Sequence, residues 1–238
     1  MELQPDLVIT VAYGRLIRKP ELEMPKYGWL NVHFSLLPRW RGASPVQQSI
    51  LHGDAVSGVT VFRLDEGMDT GPVFLSKEHK LDGSETSERL LKQLSIIGVE
   101  VLEECLDLVE KGISPQIQSS IGITLAPKIT KADGKIDWDQ EAITIERKIR
   151  AMHPWPGAWC NFRGSRILIN AAAVSESSAV PIGPSGAISV GQSIKVQCGD
   201  GQITLLEVTP EGKRTMSAAE WVRGLQNQND LRFNSIED

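Results

Sequence analysis

Short apolar runs separated by polar turns dominate the first half of the chain. Leu7 to Val11 is an almost unbroken apolar run, of the kind that is buried in a parallel sheet. Similar patterns predict further strands over 29–34, 56–64 and 73–81, with a helix over 45–52. Because these strands alternate with helices, the pattern predicts an α/β layer with a mostly parallel sheet.

A long amphipathic helix is predicted after the fourth strand. Ser84 is expected to cap it, with Glu85 and Glu88 in its first turn. The helix is expected to end at Lys111 and Gly112. Apolar residues recur along it at steps of three and four, which predicts one buried face made of Leu90, Leu94, Ile97, Val101, Cys105 and Leu108.

The pattern changes in the second half. Residues 113–130 contain two prolines and no periodicity, which is typical of a linker. Ser217 and Glu220 have the spacing of a capping box for a last helix. Between the linker and this last helix, the sequence predicts a helix over 137–152, a hairpin over 159–169 and short strands over 187–190, 193–197 and 202–208. Several short strands at close spacing predict a small barrel.

Composition excludes several classes of protein. With 238 residues, 41% of them hydrophobic, the chain can build one large domain or two ordinary ones. The 25 Lys and Arg residues against 30 Asp and Glu residues give a net charge of −5. A general attraction to polyanions is therefore excluded, and any nucleic-acid contact must be local.

Cysteine spacing and hydropathy indicate the compartment. Cys105, Cys160 and Cys198 form no C-x-x-C pair, which argues against a disulfide framework or a zinc knuckle. No apolar run approaches the roughly 20 residues that span a bilayer, and the N-terminus lacks the pattern of a signal peptide. We therefore expect a soluble, intracellular protein.

Candidate chemistry begins at the end of the second predicted strand. Residues two apart on a strand project to the same face, so Asn31 and His33 are expected to lie together while Val32 packs on the other face. His33 directly precedes a loop, and ligands of open α/β sheets collect at the carboxyl ends of strands. A polar strand end without a function stays an open alternative, because a lone N-x-H is common.

A second candidate is the turn-rich sequence GMDTGP, residues 67–72, which surrounds one carboxylate with glycines and a proline. An aspartate in such a loop is usually a turn former. If the loop folds beside the strand end, Asp69 can approach His33 and raise the pKa of the imidazole by opposite-charge stabilisation. Amide, imidazole and carboxylate would then form one proton-handling group.

Several motifs together resemble the folate-dependent formyltransferases. They are NVHFSLLPRWRGASP (31–45), GMDTGP (67–72), KIDW (135–138), MHPWPGA (152–158) and GKRTM (212–216). The resemblance covers essentially the whole chain and is greatest to the members that formylate methionyl initiator tRNA. It implies the transfer of a formyl group from 10-formyltetrahydrofolate to the α-amine of that tRNA, in translation initiation.

The resemblance also implies roles for individual residues. The family's catalytic asparagine, histidine and aspartate correspond to Asn31, His33 and Asp69. Asn31 and a protonated His33 would stabilise the negative oxygen that forms when the amine attacks, and Asp69 would keep His33 protonated. No metal is implied. The family's folate-contacting loop corresponds to Ser35, Leu36, Leu37 and Pro38, and residues 12–17 resemble the wall that holds the pterin.

Two domains and a linker follow from the same resemblance. Residues 1–112 are expected to be a partial Rossmann-like formyltransferase domain, residues 113–130 the linker, and residues 131–238 an OB-like β-barrel that binds tRNA. The family's first domain begins with a further βαβ portion without a counterpart in this sequence, so Leu7 to Val11 is expected to be a central strand lacking its neighbour. The implied protein is a monomer in the bacterial cytoplasm, or in an organellar matrix if the source is eukaryotic.

Two other functions stay open beside tRNA formylation. The same three residues would serve a formyltransferase that acts on a small amine, and the chain could instead be a non-catalytic module that binds RNA or folate. Trp138, Trp155 and Trp159 are interpreted as core or domain-interface residues rather than base-stacking ones. The candidate contacts to tRNA are basic residues of the second half: Arg147, Lys148, Arg150, Arg163, Arg166, Lys213 and Arg214.

Overall fold

The apolar runs of residues 1–129 build the first of two compact units. The computed structural model describes residues 4–175 and 180–234. Each strand predicted for this unit, and the short helix predicted over 45–52, forms with bounds that differ from the prediction by at most one residue. In chain order the elements are β1 (Val8–Val11), α1 (Lys19–Leu22), β2 (Trp29–His33), β3 (Arg41–Gly42), α2 (Pro45–Leu51), β4 (Val56–Arg63), β5 (Val73–Lys80), α3 (Ser87–Glu110) and β6 (Leu125–Ala126).

The main sheet of this unit has the strand order β1–β2–β4–β5. β1 and β2 run parallel, whereas β2 with β4 and β4 with β5 run antiparallel. The α/β class is confirmed, but the described sheet is mixed rather than mostly parallel. The reason is that β4 and β5 are joined by a short loop, and only antiparallel neighbours can be joined without a long crossover.

Helix α3 packs on one face of this sheet. Leu90, Leu94, Val101 and Cys105 are buried along it. The approach to β2 is close, because a Cβ atom built on Gly98 would lie 3.2 Å from Cγ1 of Val32. In the described ranges no helix, α3 included, is both long and apolar enough to cross a membrane.

The predicted cap of α3 is wrong by two residues. Thr86 is the N-cap, and its Oγ1 accepts a hydrogen bond from the amide of Arg89 at 3.3 Å. Ser84 instead donates from its amide and hydroxyl to Oδ1 of Asp82, while Glu85 accepts from the amide of Asp82. These local bonds hold residues 82–85 in a turn, so the helix starts after it.

Residues 113–129 run along the first unit. β6 pairs in parallel with β3, and Gln116 exchanges two backbone hydrogen bonds with Val73, at 2.7 and 2.8 Å. The segment that was predicted to be a linker therefore contributes a strand and several backbone contacts to the unit that carries β2. The domain boundaries themselves stay a prediction.

Residues 130–238 form the second compact unit. Its helices and strands are α4 (Ala142–Met152), β7 (Ala158–Phe162), β8 (Ser165–Val174), β9 (Ile188–Val190), β10 (Ile194–Gln197), β11 (Gln202–Pro210), β12 (Met216–Ser217) and α5 (Ala218–Arg223). The strands pair antiparallel in the order β7–β8–β11–β10–β9, with β12 beside β11. Within the described residues this ladder is an open path, so a separate sheet is confirmed and its closure into a barrel stays a prediction.

One local prediction for the second unit is confirmed and one is confirmed in part. β7 and β8 form the predicted hairpin, and Arg163 and Gly164 in its turn have φ values of +49° and +79°, as tight hairpin turns require. The serine half of the predicted capping box forms, because the Ser217 hydroxyl accepts from the amide of Glu220 at 3.1 Å. The Glu220 carboxylate accepts a hydrogen bond from the Arg214 guanidinium.

The start of α4 differs from the prediction. A helix was expected from residue 137, but α4 begins at Ala142. Asp137 accepts from the amide of Asp139 at 3.1 Å and from the side-chain amide of Gln140 at 3.0 Å. An aspartate that bonds the backbone two residues on holds a turn, so this part of the chain is not helical.

Aromatic side chains fill the core of the second unit. Trp138 is fully buried and stacks on Phe233 with the ring centroids 5.0 Å apart, which confirms that it is a core residue. Trp155 is 53% exposed, so it does not belong to the core of this unit. Trp159 is half-buried, and the guanidinium carbon of Arg166 lies 3.9 Å from the centroid of its ring.

The three cysteines are free and buried, as expected for small apolar groups. Burial raises the pKa of the Cys105 thiol to about 11. A thiol with a raised pKa is a poor nucleophile at neutral pH. The fold therefore gives no sign of cysteine chemistry in the described residues.

Candidate active site

The polar side chains near the end of β2 project from the face of the sheet opposite α3. Leu30 and Val32 are buried, and Val32 is the neighbour of Gly98 on the helix side. Because side chains alternate along a strand, Asn31 and His33 project together to the other face. The structure thus places this pair as the spacing predicts, at the carboxyl end of β2.

Asn31 is oriented by a residue of the neighbouring strand. Thr10 of β1 is its direct partner in the parallel register. Thr10 Oγ1 lies 2.9 Å from Asn31 Oδ1 and 3.0 Å from the carbonyl oxygen of Leu30, and its one hydrogen serves either acceptor. Because Oδ1 faces Thr10, the group that Asn31 turns away from it, toward a ligand, is its Nδ2 donor. Only the register of β1 against β2 identifies Thr10, and no local sequence pattern points to it.

His33 is held by a main-chain carbonyl. Its side chain is buried, with 5% of the residue exposed, and its Nε2 lies 2.9 Å from the oxygen of Trp40. A carbonyl only accepts hydrogen bonds, so Nε2 carries the hydrogen and the lone pair of the neutral ring is on Nδ1. Nδ1 faces Oδ2 of Asp69 at 3.7 Å.

Asp69 reaches His33 from the loop between β4 and β5. Its backbone has a φ of +54°, a conformation in which aspartate is enriched among non-glycine residues. Its Oδ2 also accepts from the amide of Gly42 at 2.7 Å. The turn before it is fixed by Asp65, whose Oδ1 accepts from the Thr70 hydroxyl at 2.7 Å. The structure therefore brings Asp69 and His33 together.

The protonation of His33 corrects one expectation. Burial lowers the pKa of the imidazole below its ordinary value, and the opposing effects of the Asp69 carboxylate and the Trp40 carbonyl, which raise it, are smaller. The expected effect of Asp69 has the right sign, but desolvation prevails. At neutral pH the ring is therefore a base with its lone pair on Nδ1, rather than a resident imidazolium.

This protonation state gives the first testable prediction. His33 should titrate at a pH below the ordinary imidazole value of about 6.5, and its neutral form should have the hydrogen on Nε2. Long-range ¹H–¹⁵N NMR of the imidazole between pH 4 and 8 measures both the pKa and the tautomer. A His33 that stays protonated above pH 7, or a neutral ring with its hydrogen on Nδ1, would contradict this assignment.

Hydrogen bonds to Arg39 and Thr60 fix the loop of Ser35 to Pro38. The buried Ser35 hydroxyl donates to the carbonyl of Arg39 at 2.5 Å, and the amide of Leu37 donates to Oγ1 of Thr60 at 3.1 Å. Thr60 Oγ1 in turn lies 2.7 Å from the carbonyl oxygen of Ser35. The Ser35 side chain thus shapes the loop, which leaves the partly exposed Leu36, Leu37 and Pro38 to meet a ligand. Sequence reasoning missed Thr60.

Trp40 supplies the carbonyl that holds His33, and it is itself fixed on two sides. Its indole Nε1 donates to Asp54 Oδ2 at 2.8 Å, and its amide donates to Oγ1 of Thr124 at 2.8 Å. Arg39 pairs with the same Asp54 carboxylate through Nε, at 3.0 Å, and through Nη2. Asp54 and Thr124 lie far from His33 in sequence, so no local pattern reveals them.

Large apolar side chains lie just beyond the end of β1. Tyr13 is 55% exposed and Leu16 73%. β1 runs parallel to β2 with Val11 opposite Val32, so this segment leaves the sheet at the same edge as His33. Such an edge is where open α/β sheets bind ligands. Among the residues that the structure describes, no group of three or more His, Cys, Asp or Glu side chains could hold a metal ion.

Gly71 sets the path of the Asp69 loop. A Cβ atom added there would lie 1.8 Å from the carbonyl oxygen of Arg63, so the backbone would have to move. We expect Gly71→Ala to lower the free energy of unfolding by roughly 2 kcal/mol or more, measured by urea denaturation. Gly191→Ala is the control, because the nearest atom to its added Cβ would be 4.0 Å away. Equal stability of the two variants would refute this reading of the loop.

The basic residues proposed for tRNA contact are mostly engaged within the second unit. Arg150 pairs with Glu146 and is largely buried, and Lys148 donates to the carbonyl of Lys135 at 3.0 Å. Burial lowers the pKa of the Lys148 amine. Arg163 donates to the carbonyl of Asn227 at 2.8 Å, and Arg214 pairs with Glu220. Their contact with tRNA stays a prediction.

Both halves of the chain are similar to known formyl transferases. Residues 1–106 match the formyl transferase family, and residues 128–226 match the C-terminal domain of formyl transferases. In fold, HypX from Aquifex aeolicus in complex with tetrahydrofolic acid superposes with a TM-score of 0.70 at 21% identity, over 92% of this chain and 38% of that chain. The chain belongs to the formyl transferase family.

Within that family, two curated relatives are named methionyl-tRNA formyltransferase. The protein of Thermobifida fusca is 40% identical over 233 residues, which are 98% of this chain and 75% of the relative. The protein of Magnetococcus marinus is 42% identical over 230 residues, which are 93% of this chain and 71% of the relative. The sequence-based recognition of this branch of the family is thereby confirmed.

Proposed function

We propose that this chain transfers a formyl group from 10-formyltetrahydrofolate to the α-amine of methionyl initiator tRNA. The observation that carries the proposal is the meeting of Asn31, His33 and Asp69 at one sheet edge, with His33 Nδ1 facing Asp69 Oδ2 at 3.7 Å. The names of the relatives at 40% and 42% identity support the choice of tRNA as substrate.

The site suits a folate as formyl donor, which supplies an activated formyl group when it is bound. A pterin ring is flat and largely apolar with polar edges, and Tyr13 and Leu16 expose apolar surface at this edge of the sheet. Leu36, Leu37 and Pro38 are partly exposed beside the site. We propose that these residues hold the folate, and that the hydroxyl of Ser35 acts by shaping the loop.

Each catalytic residue then has a distinct task. The Nδ2 donor of Asn31, oriented by Thr10, stabilises negative charge that develops on the formyl oxygen. His33 takes up the proton of the attacking amine at Nδ1, because burial keeps its ring neutral beforehand. The resulting imidazolium lies between the Asp69 carboxylate and the Trp40 carbonyl, and both favour its charge. It can return the proton to the folate nitrogen that leaves when the bond between that nitrogen and the formyl carbon breaks.

The second unit is the part that we propose to recognise tRNA. The predicted boundaries, residues 1–112 for catalysis, 113–130 as linker and 131–238 for tRNA binding, are part of this proposal. The match of residues 128–226 to the C-terminal domain of formyl transferases supports it. We further propose that the protein acts as a monomer in the bacterial cytoplasm, in keeping with the bacterial sources of these relatives.

One assay compares this proposal with the alternatives. The chain is incubated with 10-formyltetrahydrofolate and either methionyl initiator tRNA or a nucleotide-linked amino sugar, and the formylated product is measured by mass spectrometry. Formylation of the tRNA alone supports the proposal. Formylation of the sugar alone favours the small-amine enzyme, and folate or tRNA binding without any product favours the non-catalytic module.

A further inference from the structure

Gln118, in the segment between α3 and β6, connects two loops of the candidate active site. Its Oε1 accepts from Nε and Nη2 of Arg41, at 3.1 and 2.7 Å. Its Nε2 donates to the main-chain carbonyls of Asp69 and Gly71, both at 2.8 Å. One side chain therefore makes four hydrogen bonds, two to Arg41 at the start of β3 and two to the Asp69 loop.

The chemistry of the partners fixes the orientation of this amide. A guanidinium only donates and a carbonyl only accepts, so the oxygen of Gln118 must face Arg41 and its nitrogen must face the two carbonyls. Glutamine satisfies both sides at once. A glutamate could still accept from Arg41, but it would place a carboxylate oxygen against the carbonyls of Asp69 and Gly71.

Both ends of this connection act on the position of the Asp69 carboxylate. Asp69 has the left-handed backbone φ of +54°, and its own carbonyl is one of the two that Gln118 holds. Its Oδ2 accepts from the amide of Gly42, the residue next to Arg41. Gln118 thus fixes the two backbone segments between which the carboxylate lies.

Attachment of the segment itself does not depend on Gln118. β6 pairs with β3, and the backbone of Gln116 pairs with Val73. Gln116 and Ile117 are exposed to solvent, so this stretch is not part of the hydrophobic core. The side chain of Gln118 alone turns inward to bond both loops.

We propose that Gln118 is a positioning residue for the formyl transfer: it holds Asp69 beside Nδ1 of His33 by joining the Asp69 loop to Arg41. The inference rests on the proposed function for its kinetic consequences and on the structure alone for the geometry. It assigns a catalytic contribution to a segment that the sequence predicted to be a linker.

The test uses three variants of the full chain: Gln118→Leu, Gln118→Glu and, as matched control, Gln116→Leu. Both Gln118 variants should lower kcat roughly 10-fold or more, with KM for 10-formyltetrahydrofolate and methionyl initiator tRNA within about 2-fold. Gln116→Leu should match the unsubstituted chain. Gln118→Glu is decisive, because it keeps the Arg41 contact while it loses the two bonds to the Asp69 loop and sets a carboxylate oxygen against the same two carbonyls. Unchanged kcat in Gln118→Glu would overturn the proposal.

A double variant separates positioning from general loosening. If Gln118 acts through Asp69, adding Gln118→Leu to Asp69→Asn should change the single-turnover rate by less than about 2-fold. A further 10-fold loss would show that the two residues act independently, which would overturn the proposal.

Exchange of the Gly42 amide tests the geometry without any turnover. Because this amide donates to Asp69 Oδ2, its hydrogen exchange should be about 10-fold faster in both Gln118 variants and unchanged in Gln116→Leu. If the unsubstituted chain has no activity but this acceleration is seen, the proposed function fails and the positioning role stands. If the chain is active and Gly42 exchange is unaffected, the positioning role fails and the function stands.

Discussion

Replacing His33 by alanine should lower the turnover of methionyl initiator tRNA by roughly 100-fold or more. The imidazole is the group that takes up the amine proton at Nδ1, and alanine offers nothing in its place. The affinity for the folate should change only a few-fold, because the exposed apolar side chains proposed to hold the folate are untouched. Single-turnover rates and a fluorescence titration with the folate measure the two effects separately.

The control for His33→Ala is His79→Ala. His79 lies on β5, paired with Ser57 of β4, so the same change is made in the same sheet away from β2. Alanine at position 33 also leaves the Trp40 carbonyl without its donor, so His33→Gln serves as a second variant that can still donate a hydrogen bond. Turnover by His33→Ala within a few-fold of the unsubstituted chain would refute the catalytic assignment.

The part of this site that the sequence reveals is the part set by strand periodicity. Asn31 and His33 lie two residues apart on β2, so their common direction follows from the pleat alone. The nearness of Asp69 follows only if the loop after β4 returns to the end of β2. β4 runs antiparallel to β2, with Arg63 opposite Leu30 and Thr60 opposite His33, so the loop after β4 leaves beside the start of β2 and has to turn back to reach His33. The sequence predicts the strands, but its mostly parallel sheet does not give this path.

The residues that support the catalytic groups were missed because they are remote in sequence. Thr10, Thr60 and Gln118 lie in three separate parts of the first unit, and each makes its contact through a pairing or a loop path that no local pattern encodes. The two prolines and the missing periodicity around Gln118 indicate a linker, and nothing in that pattern shows that its side chain reaches the Asp69 loop.

Burial explains why the protonation state of His33 was predicted wrongly. The sequence shows which charges can approach, and Asp69 does raise the pKa as expected. It does not show that the ring is 5% exposed between Phe62 and the Trp40 carbonyl. Removing water from the charged form lowers the pKa of His33 by more than the nearby carboxylate raises it, so the net shift is downward.

Replacing Asp69 by asparagine should lower turnover roughly 100-fold and should lower the pKa of His33 further. Asparagine can still accept from the amide of Gly42, so the loop keeps its main contact while the negative charge is removed. The imidazolium that forms during proton uptake then lacks its counter-charge, and His33 becomes a weaker base.

The pH dependence of Asp69→Asn separates this effect from a loss of structure. The folded pKa of His33 is already depressed, so activity that needs the neutral ring is present above that pKa and is lost as the pH falls through it. In Asp69→Asn this acidic limb should move to lower pH while the plateau rate falls, because the opposite-charge stabilisation of the imidazolium is gone. Imidazole NMR titration and the pH profile of kcat/KM measure the same shift independently. A His33 pKa that is unchanged or raised in Asp69→Asn would show that the carboxylate does not act on the imidazole, and Asp69 would then be only the turn former that its loop sequence also allows.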